Sequence, residues 1–256
     1  MPYTTNKLRT VLNAGQRAVG VTAQFASPEV VEVAGHLGFD FIWIDAEHGT
    51  MDLTTVVHMI RAANATGVST LIRVPDSNPT FISRLLDAGA DGIIVPHVRT
   101  KADAEAIVAS AKYAPLGRRA ACPTIRATGH GAIPWEEYST AADRDVHVWG
   151  IIEDVDGVTN IDEIVQVPGL DGLIFGPFDL SVDAGLNGDR THPTIKEYGR
   201  RVHAAAARAG VEVMALVNFE DGGLEAAVAR GAKVFMVGGD RGHLLNSWRS
   251  ALARVR

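Results

Sequence analysis

Apolar residues come in eight short runs along the chain: VGVTAQF, FDFIWID, STLIRV, DGIIVPHV, VHVWGIIE, GLIFGPF, VEVMALV and KVFMVGG. Each is rich in Val, Ile, Leu and Phe, the signature of a parallel strand covered on both faces. Between most of them the polar and apolar positions shift to the spacing of an amphipathic helix, as in LTTVVHMIRAANATG, NPTFISRLLDAGA, TKADAEAIVASAKYA, TIKEYGRRVHAAAARAG and EDGGLEAAVARGA. Several of these segments end in Gly, the residue that closes a helix at least cost. Three helix–strand joins, LDAGADGII, VPGLDGLIF and ARGAKVF, share a small turn pattern, whereas no repeat of solenoid period is visible.

Eight strand–helix units in 256 residues predict an α/β fold, a single (β/α)8 barrel spanning 1–256. The alternative, a doubly wound open sheet, would need a G-x-G-x-x-G turn after its first strand to bind a nucleotide, and none follows VGVTAQF. The longest interruption, residues 114–145, contains PLGRRAACPTIRATGHGAIPWEEY and reads as a long irregular loop, functional or an oligomer contact.

Composition narrows the class of partner. A net charge of -6 with no long run of Lys or Arg argues against nucleic acid. Cys122 is the only cysteine, which excludes an intrachain disulfide and a thiolate metal cluster and suits a reducing compartment. The amino terminus, MPYTTNKLRTVLNAG, has no apolar segment of signal-peptide length, and nothing elsewhere approaches the ~20 apolar residues of a membrane span. A cytoplasmic protein without a membrane partner is expected.

In a barrel of this kind the carboxyl ends of the strands line the active face. Asp45 and His48 (in FIWIDAEHG), Arg73, Glu153 and Asp179 all fall there. Glu153 and Asp179 end successive strand–helix units, and hard oxygen ligands of this kind suit Mg²⁺ or Mn²⁺ with substrate oxygens and waters completing the shell. Taken singly, Asp179 reads as a helix cap and Glu153 as half of an ion pair; together on adjacent strands they favour a metal. Asp45 lies three residues before His48 and is placed to orient the imidazole and raise its basicity, the plainer reading being a helix cap beside an exposed histidine. Glu47 has only a supporting role in this reading. Arg73, near the end of an apolar run, needs an anion, either a carboxylate or enolate substrate or an internal partner such as Asp45 or Glu153.

His97 and Arg99 fall near the same rim, whereas His36, His58 and His203 sit in helical patterns as surface or packing residues. Gly238 and Gly239 read equally as a phosphate turn or as tight packing. An acid–base pair, a fixed cation and an oxygen-ligand metal site on one rim are the equipment for making and quenching an enolate.

Taken in order, FIWIDAEHG, LIRVPDSNP, DAGADGIIVPHV, APLGRR, the Glu153 region and GLIFGPFDLS resemble the HpcH/HpaI family of class II pyruvate aldolases across nearly the whole chain. The resemblance implies reversible cleavage of a 4-hydroxy-2-oxo acid to pyruvate, or a substituted pyruvate such as hydroxypyruvate, and an aldehyde. It places Glu153 and Asp179 at the metal positions, with Mg²⁺, Mn²⁺ or Co²⁺ as the cofactor, and makes His48 with Asp45 the acid–base dyad. Arg73 would bind pyruvate and its enolate, and the backbone amides of Phe178 and Asp179 would hold the carboxylate. Asp87 would reach into a neighbouring subunit's site, because similar enzymes are homohexamers. Two positions depart from the family pattern: Ile151 stands where Gln is frequent, and Phe178 is bulky where a small residue is frequent.

A Schiff-base aldolase would need a lysine on the rim, yet Lys7, Lys101, Lys112 and Lys196 lie in helical or loop stretches and Lys233 at the opposite end of its strand. An acyl-CoA lyase of citrate-lyase-beta type would want a basic or adenine-binding surface, and none is clear. A non-catalytic binding barrel would tolerate loss of the acid–base dyad, which is present.

Overall fold

Alternation along each strand decides which residues enter the barrel and which meet the surrounding helices. The computed structural model describes residues 6–217, 219 and 222–256. Its eight strands are β1 (Ala18–Ala23), β2 (Phe41–Asp45), β3 (Ser69–Arg73), β4 (Gly92–Val95), β5 (His147–Ile152), β6 (Gly172–Phe175), β7 (Glu212–Leu216) and β8 (Val234–Gly239). They are parallel and close in sequence order, β8 pairing with β1. Twelve helices follow the chain among the described residues: α1 (Lys7–Asn13), α2 (Pro28–His36), α3 (Leu53–Thr66), α4 (Pro79–Asp87), α5 (Lys101–Ala111), α6 (Trp135–Asp145), α7 (Val155–Thr159), α8 (Ile161–Ile164), α9 (Pro177–Asp183), α10 (Pro193–Ala209), α11 (Gly223–Ala229) and α12 (Asp240–Val255). The barrel expected from the apolar runs is the one observed.

One parity of each strand fills the barrel: Phe41, Trp43, Leu71, Ile94, Trp149, Ile151, Ile174, Met214 and Val234 form the inner cluster. The other parity, including Ile42, Ile44, Ile72, Ile93, Val148 and Leu173, packs against the helices in the larger outer core. Two inner glycines are required by this filling. A Cβ on Gly172 would collide with the Trp149 ring and one on Gly20 with the Phe41 ring. Fully burying each such ring contributes roughly 1.5–3 kcal/mol, so small residues on one strand accommodate large ones on its neighbour.

Helix α1 closes the floor at the amino-terminal ends of the strands. Leu8 joins the inner cluster, while Asn6 donates from Nδ2 to the carbonyls of Asp91 and Asp145, both at 3.0 Å. Its Oδ1 accepts from the Arg9 backbone and from the Ser69 hydroxyl, 3.1 Å each. Two of the three recurring helix–strand joins, and the join before β2, share a physical account: Asp40, Asp91 and Asp171, each just before an even-numbered strand, accept the backbone N–H of Val19, Thr70 and Val148 on the preceding strand, at 2.8–2.9 Å.

Helix ends follow local chemistry. Thr100 and Asp103 form a reciprocal capping box at α5, and Gly67 and Gly210 close α3 and α10 with φ of 78° and 72°. Two expectations are corrected. Residues 114–145 are not irregular throughout: α6 occupies the second half, stabilised by packing of Trp135 and Tyr138 against Tyr113, which its mixed composition concealed. The runs DGIIVPHV and GLIFGPF are shorter as strands than as apolar segments, because the chain turns after Val95 and after Phe175, before the prolines Pro96 and Pro177. The segment EDGGLEAAVARGA forms α11 from Gly223; its first residues, Glu220 and Asp221, lie outside the described residues, as do residues 1–5. Among the described residues no helix is long and apolar enough to cross a membrane.

Candidate active site

The inward parity of the strands carries through to their carboxyl ends. Asp45 continues the Phe41–Trp43 side of β2, Arg73 the Leu71 side of β3, and Glu153 the Trp149–Ile151 side of β5. Asp45 and Arg73 are also register partners. Their side chains meet in a two-point ion pair, Arg73 Nε to Asp45 Oδ1 at 2.9 Å and Nη2 to Oδ2 at 2.5 Å, and the guanidinium lies 5.3 Å above the Trp43 ring. The internal anion left open by the sequence is therefore Asp45.

Glu47 is the second anion of this group. Its Oε2 lies 3.0 Å from Arg73 Nη1, an ion pair without a hydrogen bond, and 3.8 Å from His48 Nε2. Asp45 is fully buried and fully used: Oδ1 also accepts the backbone N–H groups of Glu47 and His48 at 3.2 and 3.1 Å, and Oδ2 the side-chain amide of Gln24 at 2.9 Å. Burial alone would raise the Asp45 carboxyl, but the Arg73 guanidinium and these donors carry it below its ordinary value. Glu47 moves the other way, because burial outweighs the attraction of Arg73 and His48. The structure thus brings Asp45 to the backbone of His48, while the His48 ring stands 58% exposed beside Glu47.

The second group centres on Glu153, which is buried. Its Oε1 accepts the backbone N–H of His97 at 3.0 Å. Its Oε2 lies against Gly176, where a Cβ would sit 3.0 Å from that oxygen and 2.7 Å from Glu153 Cβ. Gly176 caps α9, whose first turn carries Asp179. Burial first, and then the negative charges of Asp179 and Glu47, raise the Glu153 carboxyl above its ordinary value, against the attraction of His97. Asp179 itself is exposed. Among the described residues no three His, Cys, Asp or Glu side chains converge closely enough to hold a metal on their own. The donor set is nevertheless one a hard divalent cation fits: two carboxylates, the charge of Asp179 helping to raise the Glu153 carboxyl, with coordination positions left for other oxygens.

The remaining predicted positions spread out. Phe178 and Asp179 supply early N–H groups of α9, which no carbonyl of that helix can reach. The Phe178 ring folds over Gly188, where a Cβ would be 3.0 Å from it. Ile151 is packed inside the barrel beneath Glu153. Asp87 ends α4, on the floor side, and takes Arg119 Nη2 at 2.7 Å, so it is not part of this chain's own rim. Lys112 is tied to the carbonyls of Asp143 and Val146 at 2.8 and 2.7 Å, and Lys101 faces Glu105 at 3.6 Å on α5, so neither enters the rim. His203 packs within the α10 region, with Nδ1 2.7 Å from the Gly199 carbonyl. Gln24 and Asp154 escaped the sequence reading. Gln24 continues the inward side of β1, a parity signal that was available; Asp154 was masked by its position next to Glu153.

A closed parallel barrel whose rim sets a half-buried arginine beside two carboxylates, with a second carboxylate pair nearby, fits a carbon–carbon lyase. Comparison with known proteins agrees. A 5-keto-4-deoxy-D-glucarate aldolase of Salmonella arizonae is 33% identical over 205 residues, 80% of this chain and 79% of that protein. The HpcH/HpaI aldolase from Desulfitobacterium hafniense DCB-2 has a TM-score of 0.90 at 32% identity, covering 97% of this chain and 96% of the other. The citrate synthase SbnG has a TM-score of 0.89 at 32% identity, with 97% of each chain covered. Residues 19–247 match the family described as HpcH/HpaI aldolase/citrate lyase, and the chain belongs to that family.

Proposed function

We propose that this enzyme is a class II aldolase that reversibly cleaves a 4-hydroxy-2-oxo acid into pyruvate, or a substituted pyruvate such as hydroxypyruvate, and an aldehyde. The observation that carries this reading is the adjacency of the Asp45–Arg73–Glu47 ion group to the Glu153–Asp179 carboxylates. Glu153 and Asp179 would hold a divalent cation, Mg²⁺ or Mn²⁺, which when bound polarises the 2-oxo group. Arg73 has five N–H donors, of which Asp45 accepts two; Glu47 meets Nη1 as an ion pair without a hydrogen bond, and the remaining donors would serve the C2 oxygen, where charge develops. The N–H groups of Phe178 and Asp179 would receive the substrate carboxylate.

In the cleavage direction His48 removes the proton of the 4-hydroxyl, the C3–C4 bond breaks, and C4 leaves as the aldehyde carbonyl. The electron pair passes to C3 and the C2 oxygen, and protonation at C3 yields the 2-oxo acid. Asp45 does not exchange protons in this scheme: it fixes the Arg73 fork and the backbone at His48. The exposed ring of His48 has the access to substrate that the buried Asp45 lacks.

The active species is a homo-oligomer in this reading, a hexamer by the family resemblance, with Asp87 completing a neighbour's site. Helix α12 supports the assembly, because none of its sixteen residues is buried and Leu245, Trp248 and Leu252 face solvent, an apolar surface that a monomer would not keep exposed. Light scattering at assay concentration tests it, and a fully active monomer overturns it. The activity itself is tested by pyruvate release from a panel of 4-hydroxy-2-oxo acids, with chelator-stripped and Mg²⁺- or Mn²⁺-loaded protein. Chelation should abolish turnover; equally fast cleavage by the metal-free protein would refute the class II reading.

A further inference from the structure

The turn after β4 is, among the described residues, the strand end on the rim where a residue other than glycine takes a positive φ. His97 has φ of 55°, a left-handed conformation that is uncommon for any residue but glycine. In that conformation its backbone N–H points across to β5 and donates to Glu153 Oε1. Its imidazole Nδ1 meets Asp154 Oδ2 at 3.0 Å, and Arg99 Nη2 donates to the other Asp154 oxygen at 2.9 Å. Two backbone anchors hold the same turn: Val98 N–H donates to the Ile151 carbonyl at 3.1 Å, and Asn160 Nδ2 to the Arg99 carbonyl at 2.9 Å. The path from His97 to Arg99 is thus clamped onto the end of β5 from both sides of Glu153.

We infer that His97 is a positioning residue for Glu153, acting through its backbone N–H. The left-handed turn occupies Oε1 and leaves Oε2 against Gly176, on the side of the turn that carries Asp179. His97 thereby sets how well the two carboxylates present themselves to a cation, without being a ligand. The Asp154–imidazole contact holds the turn in its uncommon conformation. This inference rests on the reading of Glu153 as a metal ligand, and loss of such an outer hydrogen bond typically costs 10–100-fold in metal affinity.

The experiment is Mn²⁺ binding to the metal-free protein, by electron paramagnetic resonance and calorimetry, so that turnover is not the readout. His97→Gly keeps both the N–H and the left-handed backbone and should bind Mn²⁺ within about 3-fold of the parent, whereas His97→Val, whose β-branch resists that backbone, should bind roughly 10–100-fold more weakly. Asp154→Ala leaves residue 97 unchanged and covers the case in which the valine variant does not fold; it should weaken Mn²⁺ binding by about 3–10-fold. Parent-like affinity in His97→Val or in Asp154→Ala overturns the positioning role, as does a glycine variant as weak as the valine variant. Glu153→Gln separates the two ideas. If that variant binds Mn²⁺ as the parent does, the ligand reading itself fails; if it loses binding while His97→Val does not, only the positioning role fails.

Discussion

The two ends of the barrel are both crowded with carboxylates, and they use them in opposite ways. On the floor, Asp40, Asp91 and Asp171 each take a backbone N–H at the start of a neighbouring strand. Two of them also meet a cation, Lys7 with Asp40 at 3.4 Å and Arg9 with Asp171 at 2.7 Å. On the rim, burial and the negative charges of Asp179 and Glu47 raise the Glu153 carboxyl, with Arg73 already committed to Asp45. Carboxylates whose oxygens are filled by the fold's own donors stabilise it. Carboxylates gathered with surplus negative charge weaken the folded state unless something cationic arrives, which is the electrostatic mark of a functional site.

If that division is right, rim substitutions should remove chemistry with little loss of fold. The largest effect is expected from His48→Ala, which should lower cleavage by roughly 10²–10⁴-fold while leaving the melting temperature unchanged, since the ring is exposed. Steady-state kinetics beside a thermal melt checks both, and unchanged cleavage would remove His48 from the mechanism. Arg73→Lys should lower turnover by about 10²-fold and slow the exchange of pyruvate methyl protons with solvent, because a lysine keeps the charge but loses the planar fork. A raised Michaelis constant alone, with turnover and proton exchange intact, would make Arg73 only an anchor.

The floor should answer in the reverse sense. Asn6→Ala removes hydrogen bonds to Asp91, Asp145 and Ser69 and to the backbone of Arg9, and should cost about 2–4 kcal/mol in urea unfolding with turnover of the folded protein unchanged. A collapse of turnover in folded Asn6→Ala protein would break the comparison.

The smallest expected effect is the most diagnostic, because pH should act with opposite sign on two buried aspartates, Asp91 on the floor and Asp45 on the rim. Burial raises the floor carboxyl of Asp91 to about 6, against its bonds from Thr70. Its contribution to stability is complete below the unfolded aspartate value of about 3.9 and is lost as pH rises through about 6. Asp45 on the rim is lowered by Arg73 despite its burial, so its contribution is present above that unfolded value and is lost as pH falls through the lower folded one. Asp91→Asn keeps an acceptor for Thr70 and should flatten the decline between pH 4 and 7 by roughly 2 kcal/mol, measured as urea midpoints across that range. The same slope in parent and variant would show that Asp91 is not the group responsible.

The strand count, the order of strands and helices and the place of Asp45, Arg73 and Glu153 at the carboxyl ends of strands were legible in the chain, because strands buried on both faces leave short apolar runs that neighbouring residues report. So were the glycine helix ends, which depend on one residue's backbone. What depended on barrel closure was not legible. Asp45 is claimed by Arg73, 28 residues on, and by Gln24, 21 residues back. Glu153 is held by the backbone of His97, 56 residues earlier. A carboxylate at a strand end looks the same in sequence whether its oxygens are filled or open. Which of the two it is follows from strand register and loop path, since these alone decide which donors from distant segments come within about 3 Å.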